Sequence, residues 1–277
     1  MKTPEIKRCL KLGISLVYFS MRVAVERALR VVGKPAKCRL TVLYYHGVSR
    51  EERARFAKQM ETLRRTACVL PAFYQGILPA GKMHVAITFD DAFVSIYENA
   101  MPELLARSFH STIFVPTNFL GHVPGWMMED AKQSGGEVVM TADQLKELSS
   151  ELVTLGSHSL THVHLTQMER GRARDEIERS RQELQRLTGR DVRLFSFPYG
   201  DYDEKIVKLC RNAGYDYAFT IQPERIETDK RSILRGRVKV DPSDWPIEFF
   251  LKSSGAYTWM TLWMASKQRA SAKSDLP

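Results

Sequence analysis

HVAITFDDAF, residues 84–93, is an apolar run rich in β-branched residues that ends on two adjacent acids, Asp90 and Asp91. Two carboxylates at the end of a buried strand repel and desolvate each other unless a cation or a proton compensates. The pair therefore implies a site, and neighbours at a strand end can diverge, one toward a metal and the other toward a proton. Taken alone, the stretch also suits a solvated Asp-Asp turn that caps the next helix.

Other segments repeat the strand pattern on both sides. Leu40–Tyr45, Ser111–Val115, Leu152–Leu155, Val192–Phe197, Asp216–Ile221 and Ile233–Val240 read as strands. Glu51–Arg65, Thr141–Ser149 and Arg170–Leu187 read as helices, the last with Ile177, Leu184 and Leu187 on one face. Strand and helix alternating at this length predict a parallel sheet, open or closed. The length of 277 residues suits one barrel-sized domain with short flanks.

Four more strand ends carry chemistry. TLGSHSLTHVHL, residues 154–165, places His158 and His162 four apart, facing one way if the chain coils into a helical turn. With one carboxylate they make a two-His, one-acid set that leaves positions open for water and substrate; His164 reads as a solvent-facing loop residue. LFSFPYGDYD, residues 194–203, ends its strand at Pro198-Tyr199-Gly200, a tight turn able to aim a backbone N–H into a site. LTVLYYHGV, residues 40–48, ends on His46, where parallel barrels build active sites. VDPSDW, residues 240–245, offers Asp241, Asp244 and Trp245, and also fits a surface turn.

Charge is uneven. The net charge is +9, and residues 1–39 hold ten Lys/Arg against Glu5 and Glu26, so the remaining chain is almost neutral. Nucleic-acid binding, which needs basic residues spread over the body, is not expected. Cys9, Cys38, Cys68 and Cys210 form no CxxC pair and predict neither a disulfide framework nor a structural zinc module.

The two ends look alike. Residues 9–32 mix apolar side chains with Lys11, Arg22, Arg27 and Arg30, and their longest uncharged run, Leu12–Met21, is ten residues. A bilayer core needs roughly 20, so an interfacial helix or a helix packed on the barrel's outside is expected. Residues 256–266 are uncharged, carry Trp259 and Trp263, and precede Lys267, Arg269 and Lys273, a pattern suited to a headgroup layer or to plain core packing.

Taken together, TFDD, HSLTH, FPYG and DPSDW resemble the ordered motifs of the polysaccharide deacetylases, the NodB-homology group of carbohydrate esterases, over roughly residues 40–250. The resemblance implies an α/β fold, a distorted (β/α)7-type barrel at 39–252, flanked by a basic amphipathic segment at 1–38 and an aromatic and basic tail at 253–277. It makes Asp90 the catalytic base and Asp91, His158 and His162 the ligands of a divalent metal, Zn²⁺ with Ni²⁺ or Co²⁺ as alternatives. Pro198, Tyr199 and Gly200 become the substrate turn, with the Tyr199 N–H as oxyanion donor. Trp245 would line the pocket with Asp244 beside it on the substrate side, and an Asp near Trp245 would support the catalytic histidine.

Two departures stand out. The family's late His-Asp strand is absent from the C-terminal region, and LYYHGV resembles its displaced copy in the circularly permuted members that deacetylate poly-N-acetylglucosamine, making His46 the proton donor. Many members carry an Arg two residues before the Pro; this chain has Ser196, and Arg235 or Arg237 could supply that charge. The implied reaction is hydrolysis of an N-acetyl group on an amino sugar in a polysaccharide or lipid-linked glycan. A glycan-binding protein of the same fold, or a hydrolase of an O-ester, formamide or phosphoester bond, are the rival readings. The glycine-rich segment Thr117–Met140, with Trp126, reads as a loop over the site that could stack on a sugar. The basic ends predict a peripheral membrane protein in the cytoplasm, at the inner face, with the cell envelope as the alternative location.

Overall fold

The computed structural model describes residues 3–34, 36–126, 136–230 and 232–261. A long helix, α1 (Thr3–Val31), precedes β1 (Leu40–Tyr45), α2 (Arg53–Thr66), β2 (Ala67–Val69) and β3 (Met83–Phe89). A wide turn at Ile96–Ala100 runs into α3 (Met101–Leu105), followed by β4 (Ser111–Val115), α4 (Ala142–Glu147), β5 (Val153–Ser157) and α5 (Arg170–Thr188). The chain then forms β6 (Leu194–Ser196), α6 (Glu204–Asn212), β7 (Tyr217–Phe219), β8 (Arg225–Ile226), β9 (Leu234–Arg235), β10 (Val238–Lys239) and α7 (Pro246–Ser253).

The sheet runs β10-β1-β3-β4-β5-β6-β7-β9, and every pairing along that path is parallel. The expected last strand, Ile233–Val240, splits around Gly236: its first half pairs with β7 and its second half with β1. One segment thus joins both edges and closes a barrel of seven staves, as the resemblance implied. A Cβ on Gly236 would lie 2.4 Å from the Gln222 carbonyl oxygen, so the crossing requires glycine. Short β2 and β8 were not expected; both are side pairings onto β3 and β1.

Parallel strands covered on both faces read as continuous apolar runs, and β1 is buried at all six positions. Alternate residues divide the core. Leu40, Val42, Ala86, Phe114, Leu194 and Phe219 form one cluster, while Leu43, Tyr45, Ile87 and Phe89 belong to a larger one with Phe56, Ile177 and Leu184 of the helices. Helix α5 buries Ala173, Ile177, Ser180 and Leu184 and stops at Gly189, whose φ of 69° supplies the left-handed cap.

Helix α1 docks by one stripe against α7 and the residues just beyond α7. Arg8 bonds Glu248, Phe19 meets Phe250 edge-on at 5.6 Å, and Ser15 accepts from the Trp259 indole. The opposite stripe, Ile6, Leu10, Ile14, Val17, Met21 and Val25, is exposed. The helix is therefore packed on the outside of the barrel and still presents an apolar face. The packed body extends past residue 253, since Ala256 and Tyr257 are buried. Trp263, Lys267, Arg269 and Lys273 lie outside the described residues. Among the described residues, no helix is long and apolar enough to cross a membrane, and the four cysteines are free thiols.

Candidate active site

The strand ends at one rim of the barrel bring the sequence motifs together. After β3 the backbone turns sharply: Asp91 and Ala92 adopt left-handed φ values of 67° and 51°. This reversal sends the two carboxylates different ways. Asp91 faces His158 and His162, with its Oδ1 3.7 Å from His158 Nε2 and 3.4 Å from His162 Nε2. Two donors about 2.1 Å from one tetrahedral ion stand about 3.4 Å apart, so these spacings fit a shared metal. All three residues are buried, and Asp91 Oδ1 has no hydrogen-bond partner. Burial, with Asp90 adjacent, pushes the Asp91 carboxyl well above the usual range; a cation would reverse that.

The histidines are aimed individually. The Ser196 carbonyl lies 2.8 Å from His158 Nδ1, which leaves Nε2 toward Asp91. The expected helical turn between His158 and His162 does not form. Left-handed Ser159 and His162, at φ 64° and 52°, make a bend instead. Buried Glu176 of α5 holds that bend by accepting from the Leu160 and Thr161 N–H groups, and the Thr161 hydroxyl also donates to it. Nothing in the local motif points to Glu176, because its role arises only from the packing of α5.

Asp90 meets Arg237. The guanidinium is fully buried and grips the carboxylate with two bonds, 2.7 Å to Oδ1 and 2.8 Å to Oδ2. It also donates to the Ser196 hydroxyl, the Thr220 carbonyl and the Thr88 hydroxyl, and it packs over the rings of Tyr44 and Phe114. Burial alone would raise Asp90, but Arg237 and then His158 outweigh it and hold the carboxyl far below the usual range. The charge missing at Ser196 thus comes from the closing strand. Arg235 is spent elsewhere, on the Ala72 and Tyr74 carbonyls.

His46 follows β1, whose register sets Tyr45 opposite Phe89, so His46 and Asp90 leave neighbouring strands at the same height. Burial pulls the imidazole down to about 4, with Asp90 opposing and Lys239 and Arg237 assisting. At the facing turn, Tyr199 carries a left-handed φ of 57°, and its N–H takes no backbone acceptor among the described residues. Gly200 beside it admits no side chain, since a Cβ would stand 2.3 Å from Ile221.

Two expectations are corrected. Asp244 makes no hydrogen bond to His46. It bonds Lys252 at 2.6 Å and the Asp241 N–H, because the Pro-containing turn folds back as the lead-in to α7. Trp245 is 42% exposed under the Arg8 guanidinium and belongs to the α1 contact. His164 is not merely a loop residue. Its ring stacks on Tyr199 with centroids 4.0 Å apart, and its Nδ1 lies 3.5 Å from Asp201. Trp126 stacks on His162 at 4.1 Å, so Trp126, His162, Tyr199 and His164 form one aromatic wall. Residues 127–135 of the expected covering loop, Gly135 included, lie outside the described residues.

Residues 78–218 match the family described as polysaccharide deacetylase. The chain belongs to that family. The deacetylase is 25% identical over 226 residues to YxkH of Bacillus subtilis, a protein named for the same family, spanning 76% of this chain and 73% of that one. It is 26% identical over 171 residues to the poly-beta-1,6-N-acetyl-D-glucosamine N-deacetylase of Staphylococcus epidermidis, spanning 57% of this chain and 55% of that one. The solved structure of IcaB from Ammonifex degensii superposes with a TM-score of 0.65 and 25% identity, covering 79% of this deacetylase and 97% of IcaB.

Proposed function

We propose that this deacetylase removes the N-acetyl group from an amino sugar within a polysaccharide of the poly-N-acetylglucosamine type, releasing acetate. The observation that carries the reading is the buried Asp91, His158 and His162 set, immediately beside an Asp90 that Arg237 locks in place. The Staphylococcus relative, named for N-deacetylation of poly-beta-1,6-N-acetyl-D-glucosamine, supports the choice of substrate.

Asp91, His158 and His162 would hold a divalent ion, Zn²⁺ in our reading. Such an ion supplies Lewis acidity, polarising the acetyl carbonyl and favouring the hydroxide form of the attacking water. Asp90 takes the proton of that water. The two-bond grip of Arg237 keeps it ionised and oriented, at some cost in basicity. The Tyr199 N–H is placed to donate to the oxyanion as charge develops, favouring the transition state over bound substrate. His46 delivers a proton to the departing nitrogen. Burial lowers its affinity for protons, so it is neutral at rest near pH 7, and the proton it delivers is the one Asp90 has taken from the water. The aromatic wall from Trp126 to His164 offers ring faces on which a sugar can stack.

We also read α1 as a peripheral membrane contact. Its exposed stripe of Ile6, Leu10, Ile14, Val17, Met21 and Val25 is flanked by Lys7, Lys11 and Arg27, as an anionic headgroup layer requires. In Leu10→Glu/Val17→Glu, binding to vesicles containing phosphatidylglycerol should fall about tenfold or more; unchanged binding removes the membrane reading.

The deciding experiment pairs metal content with acetate release from N-acetylglucosamine oligomers. A chelator should abolish release, and Zn²⁺, Co²⁺ or Ni²⁺ should restore it, with one bound ion per chain. Release that persists without metal, or metal binding with no release from any N-acetylated glycan, overturns the proposal.

A further inference from the structure

The opposite end of the barrel holds a second charged cavity that the reaction does not use. A space of about 660 Å³ lies between α1, the start of β1, the start of β3 and β8. Its walls carry Arg22 and Arg30 from α1, Lys82 and His84 from the β3 strand entry, and Arg225 from β8. Lys37 and Arg39 at its rim are already matched, by Asp229 at 2.8 Å and Glu227 at 2.6 Å. Glu26, 3.6 Å from Arg225, is the acid among the lining residues.

Three nitrogens around this cavity are buried without a hydrogen-bond partner: Arg22 Nε, Arg225 Nε and His84 Nε2. His84 is only 2% exposed. Native proteins leave few such groups unsatisfied, and each one calls for an explanation. Part of each guanidinium is engaged, since Arg22 donates to the Ser254 carbonyl at 2.9 Å while Arg225 faces Glu26. Burial and the like charge of Arg22 lower Arg225 to about 10. Gly255, whose Cβ would stand 2.5 Å from Arg225 Cδ, gives the arginine its space.

We propose that this cavity is a binding site for a phosphate group, carried by a soluble phosphate ester. The three unpartnered nitrogens belong to side chains of α1, β3 and β8 that line this one cavity. Three nitrogens suit a phosphate, which has an oxygen for each, better than a carboxylate, which has two. Guanidinium forks match phosphate oxygens in geometry and charge. The volume exceeds that of phosphate alone and admits the body of a small phosphorylated molecule. Arg22 and Glu26 lie on the barrel-facing side of α1, with Phe19, whereas the exposed apolar stripe is on the other side. A lipid lying under that stripe would present its headgroup to the wrong face of the helix, which favours the soluble source. Because the ligand would touch both α1 and the barrel, its binding would also fasten α1 down.

The test uses the full chain with its metal bound. Inorganic phosphate and glucose 1-phosphate are titrated at constant ionic strength while the melting temperature and the amide exchange of α1 are followed. Vesicles of phosphatidylglycerol in phosphatidylcholine form the second arm. Saturable stabilisation and slower exchange in α1 are expected, with affinity weakened at least tenfold in Arg22→Gln and Arg225→Gln. Arg225→Lys, which keeps the charge, should stay within about threefold of the parent, and acetate release should be unchanged in all three variants. That last readout, with near-ultraviolet circular dichroism, separates loss of the site from loss of the fold. No saturable response beyond a chloride control, or an equal response in both glutamine variants, overturns the proposal. If those variants lose vesicle binding together with phosphate binding, the phosphate is a lipid's and the soluble assignment falls.

Discussion

The two ends of the barrel bury arginine in opposite ways. At the catalytic rim Arg237 has a carboxylate, two hydroxyls and a carbonyl within bonding distance, and its charge is neutralised inside the chain. At the other end Arg225 faces Glu26 at longer range, Arg22 donates to the Ser254 carbonyl, and each keeps an unpartnered Nε. The first arrangement fixes geometry before any ligand arrives, as a catalytic base demands. The second stores unmet hydrogen-bonding capacity, as a binding site does.

The largest effect on this contrast should come from removing the metal set. Asp91→Ala should lose both bound metal and activity, the latter by about 10³-fold or more, since several kcal/mol of Lewis-acid stabilisation disappears. Elemental analysis beside acetate release checks it. Retained metal in this variant would mean that the buried set is structural. His46→Ala should separate the two properties: turnover falls by about 10² to 10⁴, the range for a proton-transfer residue, while metal content stays at one ion per chain. A fall in metal content would place His46 among the ligands instead.

Breaking the neutralised pair comes next. Arg237→Met leaves Asp90 buried and unpaired, which should destabilise the fold by about 3–5 kcal/mol in urea unfolding. Because Arg237 is what overcomes burial at Asp90, the carboxyl of the variant ionises at higher pH, and the acid limb of the activity profile should move upward. Adding Asp90→Asn should recover part of the stability and none of the activity. If the single substitution is silent in unfolding, the pairing does not organise this rim.

These expectations depend on features that the sequence disclosed unequally. Asp90, Asp91 and His158 were legible because they stand at the ends of parallel strands delivered to the rim, and His162 by its spacing from His158, although a bend after β5 carries it there. His46 was legible only through the order of motifs, and the closure explains it: β10 pairs with β1, so the first strand occupies the place of a last one. The choice between Arg235 and Arg237 was not legible, because the two alternate across Gly236 and only the split of that strand decides which one faces Asp90. Asp244 and Trp245 were misplaced for a related reason. A turn that leads into α7 carries its acid back to Lys252 on the same helix, and no local pattern distinguishes that from a turn facing the site. Long-range packing also hid Glu176 and the stacking of His164, as well as the phosphate cavity, whose residues are scattered from Arg22 to Arg225.

The smallest effect lies at the lower end of the barrel and sharpens the contrast through pH. His110 precedes β4, with its Nε2 3.2 Å from the Thr154 hydroxyl and Phe73 against its ring edge. Burial lowers it from the usual 6.5 to about 4. The unfolded chain therefore takes up this proton before the folded one does. The stability tied to the neutral ring is complete above about pH 6.5 and is lost progressively as pH falls toward 4. His110→Gln keeps a side chain able to bond Thr154 and removes the titration. Its melting temperature should fall less than the parent's between pH 6.5 and 4.5, a difference of about 1 kcal/mol at pH 5 once the ring's partial exposure is allowed for. Parallel curves for the two proteins would mean that acid acts elsewhere.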